Sequence, residues 1–109
     1  MNITEIKIFI VNEERLKAYV TITLDASFVV RDLKIIQGPG GLFVAMPSKK
    51  RKDGQYRDIA HPLNQQTREL LEDQIFATYE SELKKSGDSL ASFKRQKTTQ
   101  NSNQGDFES

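Results

Sequence analysis

The sequence has no cysteine, a single histidine and no long apolar run, and these absences remove several classes of protein. Without cysteine the chain can form neither a disulfide framework nor a cysteine-based zinc site, and it has no thiol nucleophile. No stretch approaches the roughly 18 consecutive apolar residues that cross a bilayer. The N-terminal MNITEIKIFIV lacks a basic segment and a small-residue cleavage site, so we expect no signal peptide. We therefore expect a cytoplasmic protein without membrane contact.

Signatures of catalysis are also sparse. His61 stands directly before Pro62 and three residues after Asp58, so it could act as a general base oriented by a carboxylate. A histidine that packs or caps at a junction between a strand and a helix explains the same position, and we favour that interpretation. The GPGG sequence at 38–41 matches neither of the common phosphate-binding glycine motifs. We predict no enzymatic activity, no metal site, no cofactor and no small-molecule substrate.

Charge is distributed unevenly along the chain. The 109 residues fit one domain and carry a net charge of only +1, which excludes a globally basic nucleic-acid-binding protein. Residues 49–57, however, hold five cations against Asp53 alone, whereas residues 69–82 hold five acids and no base. Such segregation produces a local electric field even when the total charge is near zero.

Alternating apolar residues predict an antiparallel sheet. The clearest pattern is at 16–24, where every second residue is apolar and lysine, tyrosine and threonine lie between them. A turn signal at Asp53-Gly54 predicts a short strand after it, so that 47–55 forms a long hairpin arm. Further strands are predicted at 3–11, 28–37, 42–46 and 56–60.

The residues that follow predict one amphipathic helix. Asn64 is a suitable N-cap, and strong helix formers begin at Gln65. The acids are expected to point outward, and the helix should end near Lys84-Lys85 before Gly87. The apolar stripe recurs every four residues, at Leu71, Ile75, Tyr79 and Leu83.

These elements predict an α+β fold, with an antiparallel sheet of four to five strands and one long C-terminal amphipathic helix packed on one face. Since one helix covers only one face, the other face, with Phe9, Val11 and Tyr19, stays partly apolar. Apolar faces and open sheet edges usually indicate a partner, so we expect a homodimer or a higher homo-oligomer. The domain should span 1–85.

The composition changes after the helix. Residues 86–109 are rich in serine, threonine, glutamine and asparagine, and we predict a flexible tail because so few apolar residues cannot offset the entropy of ordering. A short helix at 90–97 is an alternative. The small basic group of Lys94, Arg95 and Lys97 is either solvated or adds weak phosphate contacts.

The basic cluster is the candidate nucleic-acid-binding site. Cationic side chains neutralise phosphates and release counterions, and arginine can also grip a phosphate with two hydrogen bonds. Tyr56 and Phe43 are near enough in sequence to stack on an unpaired base. The alternative is a charged arm that only prevents aggregation between sheet edges, and composition does not separate the two. The candidate residues are Lys49, Lys50, Arg51, Lys52 and Arg57.

Three motifs resemble the SpoVG family, stage V sporulation protein G. They are TLD-x-x-FVV-x-D at 23–32, GLFVAMPS at 41–48 and DG-x-x-RDIAHP-x-N at 53–64, and the similarity extends over roughly residues 3–83 but not into the tail. The resemblance implies a small cytoplasmic bacterial protein, dimeric or of higher order, with a role in cell-division septation, sporulation or regulation. It implies no enzymatic activity.

The resemblance also implies binding to DNA and, in some members, to RNA. The positions that would carry this binding are the five cations of the candidate site, and the start of the segment after the long helix is a second candidate. An alternative function remains open, in which the protein is an interaction module in septation without nucleic-acid contact. In that case, the acidic helix face or the uncovered sheet would bind the partner.

Overall fold

The computed structural model describes residues 2–86 and Arg95. Within them, four strands form one antiparallel sheet in the order β1-β2-β3-β4, two short strands form a separate hairpin, and a helix follows. This arrangement confirms the predicted α+β fold. The elements are β1 Ile3–Ile10, β2 Leu16–Leu24, β3 Phe28–Gly38, β4 Gly41–Ala45, β5 Ser48–Lys50, β6 Tyr56–Asp58 and α1 Gln65–Lys85.

The strand predicted at 56–60 does not join the main sheet. The observed strand, β6, is shorter than predicted. It pairs with β5, which the sequence did not indicate as a strand. Pro47 separates β4 from β5, and proline cannot donate a hydrogen bond to a ladder, so the chain leaves the sheet there. The hairpin therefore projects as an element of its own.

The alternation in β2 is reproduced by its burial. Ala18, Val20 and Ile22 are buried, whereas Tyr19 between them is exposed. Their inward side chains pack with the apolar side of α1 and with the inward residues of β3 and β4. Burial of this apolar area is the main favourable contribution to folding. The helix contributes Leu71, Ile75, Phe76, Tyr79 and Leu83 to this core.

Strand β3 contains a bulge that changes which side of the sheet its residues face. Val20 pairs with Leu33 and Ile22 pairs with Val30, so two residues, Arg31 and Asp32, stand against Thr21 alone. Asp32 has a positive φ of 66°, which is compatible with a bulge position. As a result, Val30 and Leu33 face the core together although they are three residues apart.

Helix α1 begins at the predicted N-cap, but one of its acidic side chains is buried and does not point outward as predicted. The Asn64 side chain accepts a hydrogen bond from the Thr67 amide at 2.8 Å, which caps the first turn. The prediction that all acids point outward is wrong for Glu72. That residue is buried and lies 3.6 Å from the equally buried Arg68, because an opposite charge one turn away compensates for the loss of water.

Most of the predicted tail lies outside the described residues. This applies to the flexibility of 86–109, to the alternative helix at 90–97, to Lys94 and Lys97 and to Gly87 as the helix stop. In the described part, the helix ends with the Ser86 amide bonded to the Glu82 carbonyl oxygen at 3.1 Å. No helix in the described part of the chain combines the length and apolarity that crossing a membrane requires.

Candidate nucleic-acid interface

The hairpin of β5 and β6, residues 48–58, is called the basic arm below. Ser48 pairs with Asp58, Lys49 with Arg57 and Lys50 with Tyr56. Its base is closed where the Ile59 amide donates to the Pro47 carbonyl oxygen at 2.7 Å. Pro47 is buried, whereas the residues from Ser48 to Tyr56 are exposed. The arm is thus fixed at its root and presented to solvent along its length.

The tip of the basic arm is held by backbone bonds and by its own acid. The Arg51 amide donates to the Gln55 carbonyl oxygen at 2.6 Å, and the Gly54 amide donates to the Arg51 carbonyl oxygen at 2.9 Å. The Asp53 carboxylate accepts from the Gln55 amide at 2.9 Å. Gly54 has a φ of 90°, a conformation in which a side chain would be strained. Asp53 therefore has a structural role at the tip, as an acceptor in an Asx turn.

The structure brings all five predicted site residues into this one element. Lys49, Lys50, Arg51 and Lys52 are exposed, and Arg57 is half-buried. Lys49 stands directly opposite Arg57, and side chains at opposite positions of an antiparallel pair have Cβ atoms about 4.5–5.5 Å apart. Like charges in that arrangement repel, and a bound anion would relieve the repulsion.

The two aromatic residues suggested as stacking partners are separated by the fold. Tyr56 lies on the basic arm opposite Lys50 and is 63% exposed. Phe43 belongs to β4 of the main sheet, where it pairs with Ile36 and is half-buried. Tyr56 is therefore the aromatic side chain that the arm itself presents beside its cations.

An apolar groove of about 440 Å³ lies at the end of the sheet nearest the start of α1. Phe28 of β3 and Leu63, just before the helix, line it and are 65% and 83% exposed. Sequence reasoning missed this groove because its walls come from segments that are distant in the chain. The one available signal was Leu63, an apolar residue between the helix-breaking Pro62 and the N-cap Asn64.

His61 also lines the groove, and its Nδ1 lies 3.0 Å from the Pro62 carbonyl oxygen. The side chain is half-buried at the junction between β6 and α1. Among residues 2–86 and Arg95, no three His, Cys, Asp or Glu side chains come close enough together to hold a metal ion. The favoured interpretation of His61, packing at a junction, agrees with this position.

Arg95, part of the predicted second basic group, is bound to the acidic helix. Its guanidinium lies 3.1 Å from the Asp73 carboxylate and 3.9 Å from that of Glu72. The same group lies 4.6 Å from the centre of the Phe76 ring, a cation–π distance. Two carboxylates thus balance this positive charge, which distinguishes Arg95 from the exposed lysines of the basic arm.

Comparison with known families matches the SpoVG family over residues 1–81. The chain belongs to the SpoVG family. A relative described as "Putative septation protein SpoVG" from Bdellovibrio bacteriovorus is 72% identical over 97 residues, covering 89% of this chain and 90% of the relative. The protein of the same description from Anaeromyxobacter sp. strain K is 66% identical over 87 residues, covering 80% and 86%.

The similarity extends to relatives of lower identity. The "Putative septation protein SpoVG" of Agathobacter rectalis is 52% identical over 84 residues, which cover 76% of this chain and 97% of the relative. The Bdellovibrio alignment is longer than the span 1–85, so it includes part of the segment after the helix. The family match itself ends at residue 81, which agrees with the predicted resemblance over roughly residues 3–83.

Proposed function

We propose that this chain is a small, non-catalytic bacterial regulator that binds nucleic acid through the basic arm and acts as a homodimer or higher homo-oligomer. Its process is cell-division septation or sporulation control in the cytoplasm, as the descriptions of its relatives and the resemblance of its motifs suggest. The observation that carries the binding proposal is the opposition of Lys49 and Arg57 within a hairpin whose other cations are exposed.

The chemistry of the arm suits a phosphate backbone. Its cations are concentrated on one short hairpin, and the acid at its tip is engaged in the turn. Neutralising phosphates releases counterions, a favourable contribution that needs no reading of bases. DNA and RNA share this backbone, so the arm accounts for affinity to both. Selectivity for a sequence would need contacts to base edges from other residues.

The groove supports self-association. Exposed apolar surface of this kind usually contacts another protein, and Phe28 and Leu63 present it at the end of the sheet. We expect Leu63→Lys to lower the oligomeric state measured by light scattering after size exclusion. Leu70→Lys, a matched change at a half-exposed position of α1, should leave it unchanged. Equal masses for Leu63→Lys and the wild type would remove the groove from the interface.

An electrophoretic shift titration over a range of salt concentrations tests the arm. The logarithm of the affinity should fall linearly with the logarithm of the salt concentration, with a slope of about −0.9 for each phosphate neutralised in duplex DNA. Replacing Lys49, Lys50 and Arg51 by alanine should weaken binding and flatten the slope. An affinity that ignores salt, or that survives the triple replacement, would contradict the role of the arm.

The groove also favours a second candidate, a protein-interaction module in septation that makes no nucleic-acid contact. In this case the charges of the basic arm would only keep the protein soluble. Co-purification from cells after nuclease treatment separates the two functions. A division protein that remains bound after the nucleic acid has been digested favours the second candidate, and a partner that is released favours the first.

A further inference from the structure

The sheet has a second aromatic and basic surface, on the side opposite α1. We call it the open face and define it by Lys7, Phe9, Tyr19 and Lys34. Phe9 pairs directly with Tyr19, and Tyr19 pairs directly with Lys34, so three neighbouring strands place these side chains in one row. Phe9 is 68% exposed and Tyr19 is 41% exposed, although each is flanked by paired residues of its strand.

Lysines border both rings of this row. Lys34 is the cross-strand neighbour of Tyr19, which places their Cβ atoms about 4.5–5.5 Å apart. Lys7 precedes Phe9 by two residues on the same strand, so it shares the face at a distance of about 7 Å along the strand. The nearest acid on β1, Glu5, is two positions further away and pairs with Thr23.

We propose that the open face binds single-stranded nucleic acid, with unpaired bases stacked on Phe9 and Tyr19 and the backbone phosphates bound by Lys7 and Lys34. Aromatic rings lying flat on a sheet and flanked by cations are the arrangement that stacks bases without regard to sequence. RNA and DNA share this chemistry, because every base has an aromatic face and every linkage a phosphate.

Two other occupants fit the open face less well. A duplex hides the faces of its bases within its own stack, so it offers nothing to the exposed rings. A second copy of the chain would have to bury Lys7 and Lys34 at the centre of the contact, where lysine is depleted in protein interfaces. Charge complementarity with a polyanion therefore selects an unpaired strand.

This site is separate from the basic arm. The arm consists of residues 48–58, whereas the open face is formed by β1, β2 and β3. The proposal does not depend on the arm, and the two can fail independently. Lys49→Ala with Lys50→Ala should weaken duplex binding and leave base stacking on the open face intact. Changes on the open face should do the reverse.

Phe9→Leu tests stacking while keeping an apolar side chain. The probes are a short oligouridylate, an oligothymidylate and an abasic strand of the same length, measured by fluorescence anisotropy. We expect Phe9→Leu to weaken binding of the two base-containing strands roughly 5- to 150-fold and to leave the abasic strand unchanged. The control is Leu70→Ala, because Leu70 is an apolar residue 40% exposed on α1, on the other side of the sheet and outside the groove.

Tyrosine emission gives a second readout. The chain has no tryptophan and three tyrosines, and Tyr79 is buried. In a Tyr56→Phe variant, Tyr19 is therefore the exposed tyrosine that reports on the open face. Oligouridylate should quench this emission, and the abasic strand should not. Quenching by either RNA or DNA supports the proposal, and the stronger of the two identifies the preferred strand.

Three results would overturn the inference. In the first, the abasic and base-containing strands bind equally to the wild type, and in the second, Phe9→Leu and Leu70→Ala weaken binding to the same extent. Alternatively, Phe9→Leu would reduce the oligomeric state and leave strand binding unchanged, which would identify the open face as an interface between copies of this chain.

Discussion

Lys49 and Arg57 occupy directly opposite positions in the two-stranded hairpin, so that two cations share one step of its ladder. Like charges placed this way destabilise an antiparallel pair, whereas opposite charges stabilise it. The arrangement therefore weakens the free hairpin and strengthens its attraction for an anion. Stability and binding should respond in opposite directions when one of these charges is reversed.

Lys49→Glu tests this opposition. The new carboxylate would face Arg57, so we expect the free energy of unfolding to rise by about 0.2–1 kcal/mol and the affinity for duplex DNA to fall. Chemical denaturation and an electrophoretic shift measure the two effects. Lys50→Glu is the control, because residue 50 faces Tyr56 and should lose affinity without the gain in stability. A loss of stability in Lys49→Glu larger than in Lys50→Glu would contradict the repulsion.

A pair of lysines on the arm should matter more than a pair at the end of the helix. Lys49→Ala with Lys50→Ala should lower the magnitude of the salt slope by about 0.9 for each phosphate that the variant no longer neutralises. Lys84→Ala with Lys85→Ala removes the same charge from exposed positions that face Glu80 and Glu82, and it should leave the slope nearly unchanged. Equal slopes for the two double variants would show that only net charge governs binding.

The buried pair of Arg68 and Glu72 should contribute far more to stability than its exposed counterpart. Glu72→Ala removes the carboxylate that lies 3.6 Å from the buried guanidinium, and we expect a loss of about 3–5 kcal/mol in the free energy of unfolding. Glu80→Ala removes an acid with the same spacing to Lys84, and its cost should stay below about 0.5 kcal/mol. Thermal denaturation of both variants compares the two pairs, and similar losses would contradict the effect of burial.

A glycine in the turn between β2 and β3 should increase the stability of the protein. Asp25 and Ala26 both have positive φ, at 51° and 53°, and the Ser27 amide closes the turn on the Leu24 carbonyl oxygen at 2.9 Å. These two positions form the turn type that favours glycine. Ala26→Gly should therefore raise the free energy of unfolding by roughly 0.5–1 kcal/mol, because a residue with a Cβ is strained there.

Ala45→Gly is the matched change in a regular strand, where glycine adds only entropy to the unfolded chain, and it should lower stability by roughly 0.5–1 kcal/mol. Chemical denaturation of the two variants should give changes in the free energy of unfolding that have opposite signs. Destabilisation in both variants would mean that the backbone at Ala26 carries no strain.

The sequence predicts those parts of the structure whose cause is local. The strict alternation of β2 requires one buried side, and Asn64 caps the helix through its own side chain, so both follow from neighbouring residues. The five cations of the arm are likewise adjacent or nearly so. For the same reason, the turn at Asp53-Gly54 is recognisable from its two residues alone.

The remaining features depend on pairing between distant segments. Strand β5 has no apolar pattern, because its residues are all exposed and only backbone bonds to β6 define it. The bulge at Asp32 becomes visible only when the register against β2 is known. The helical pattern predicts that Glu72 points outward, because it does not show that Arg68 is buried beside it. The groove, and the position of Lys34 opposite Tyr19 on the open face, arise from residues brought together by the sheet.

The bulge in β3 has a consequence for how the two apolar surfaces of the sheet are kept apart. Beyond it, Lys34 belongs to the open face, and before it, Phe28 and Val30 belong to the groove. Deleting one residue between Val30 and Leu33 would leave them two positions apart, the spacing of a regular strand, so Phe28 would still face the groove. The extra residue therefore reverses which positions of β3 face the core, even-numbered ones before the bulge and odd-numbered ones beyond it.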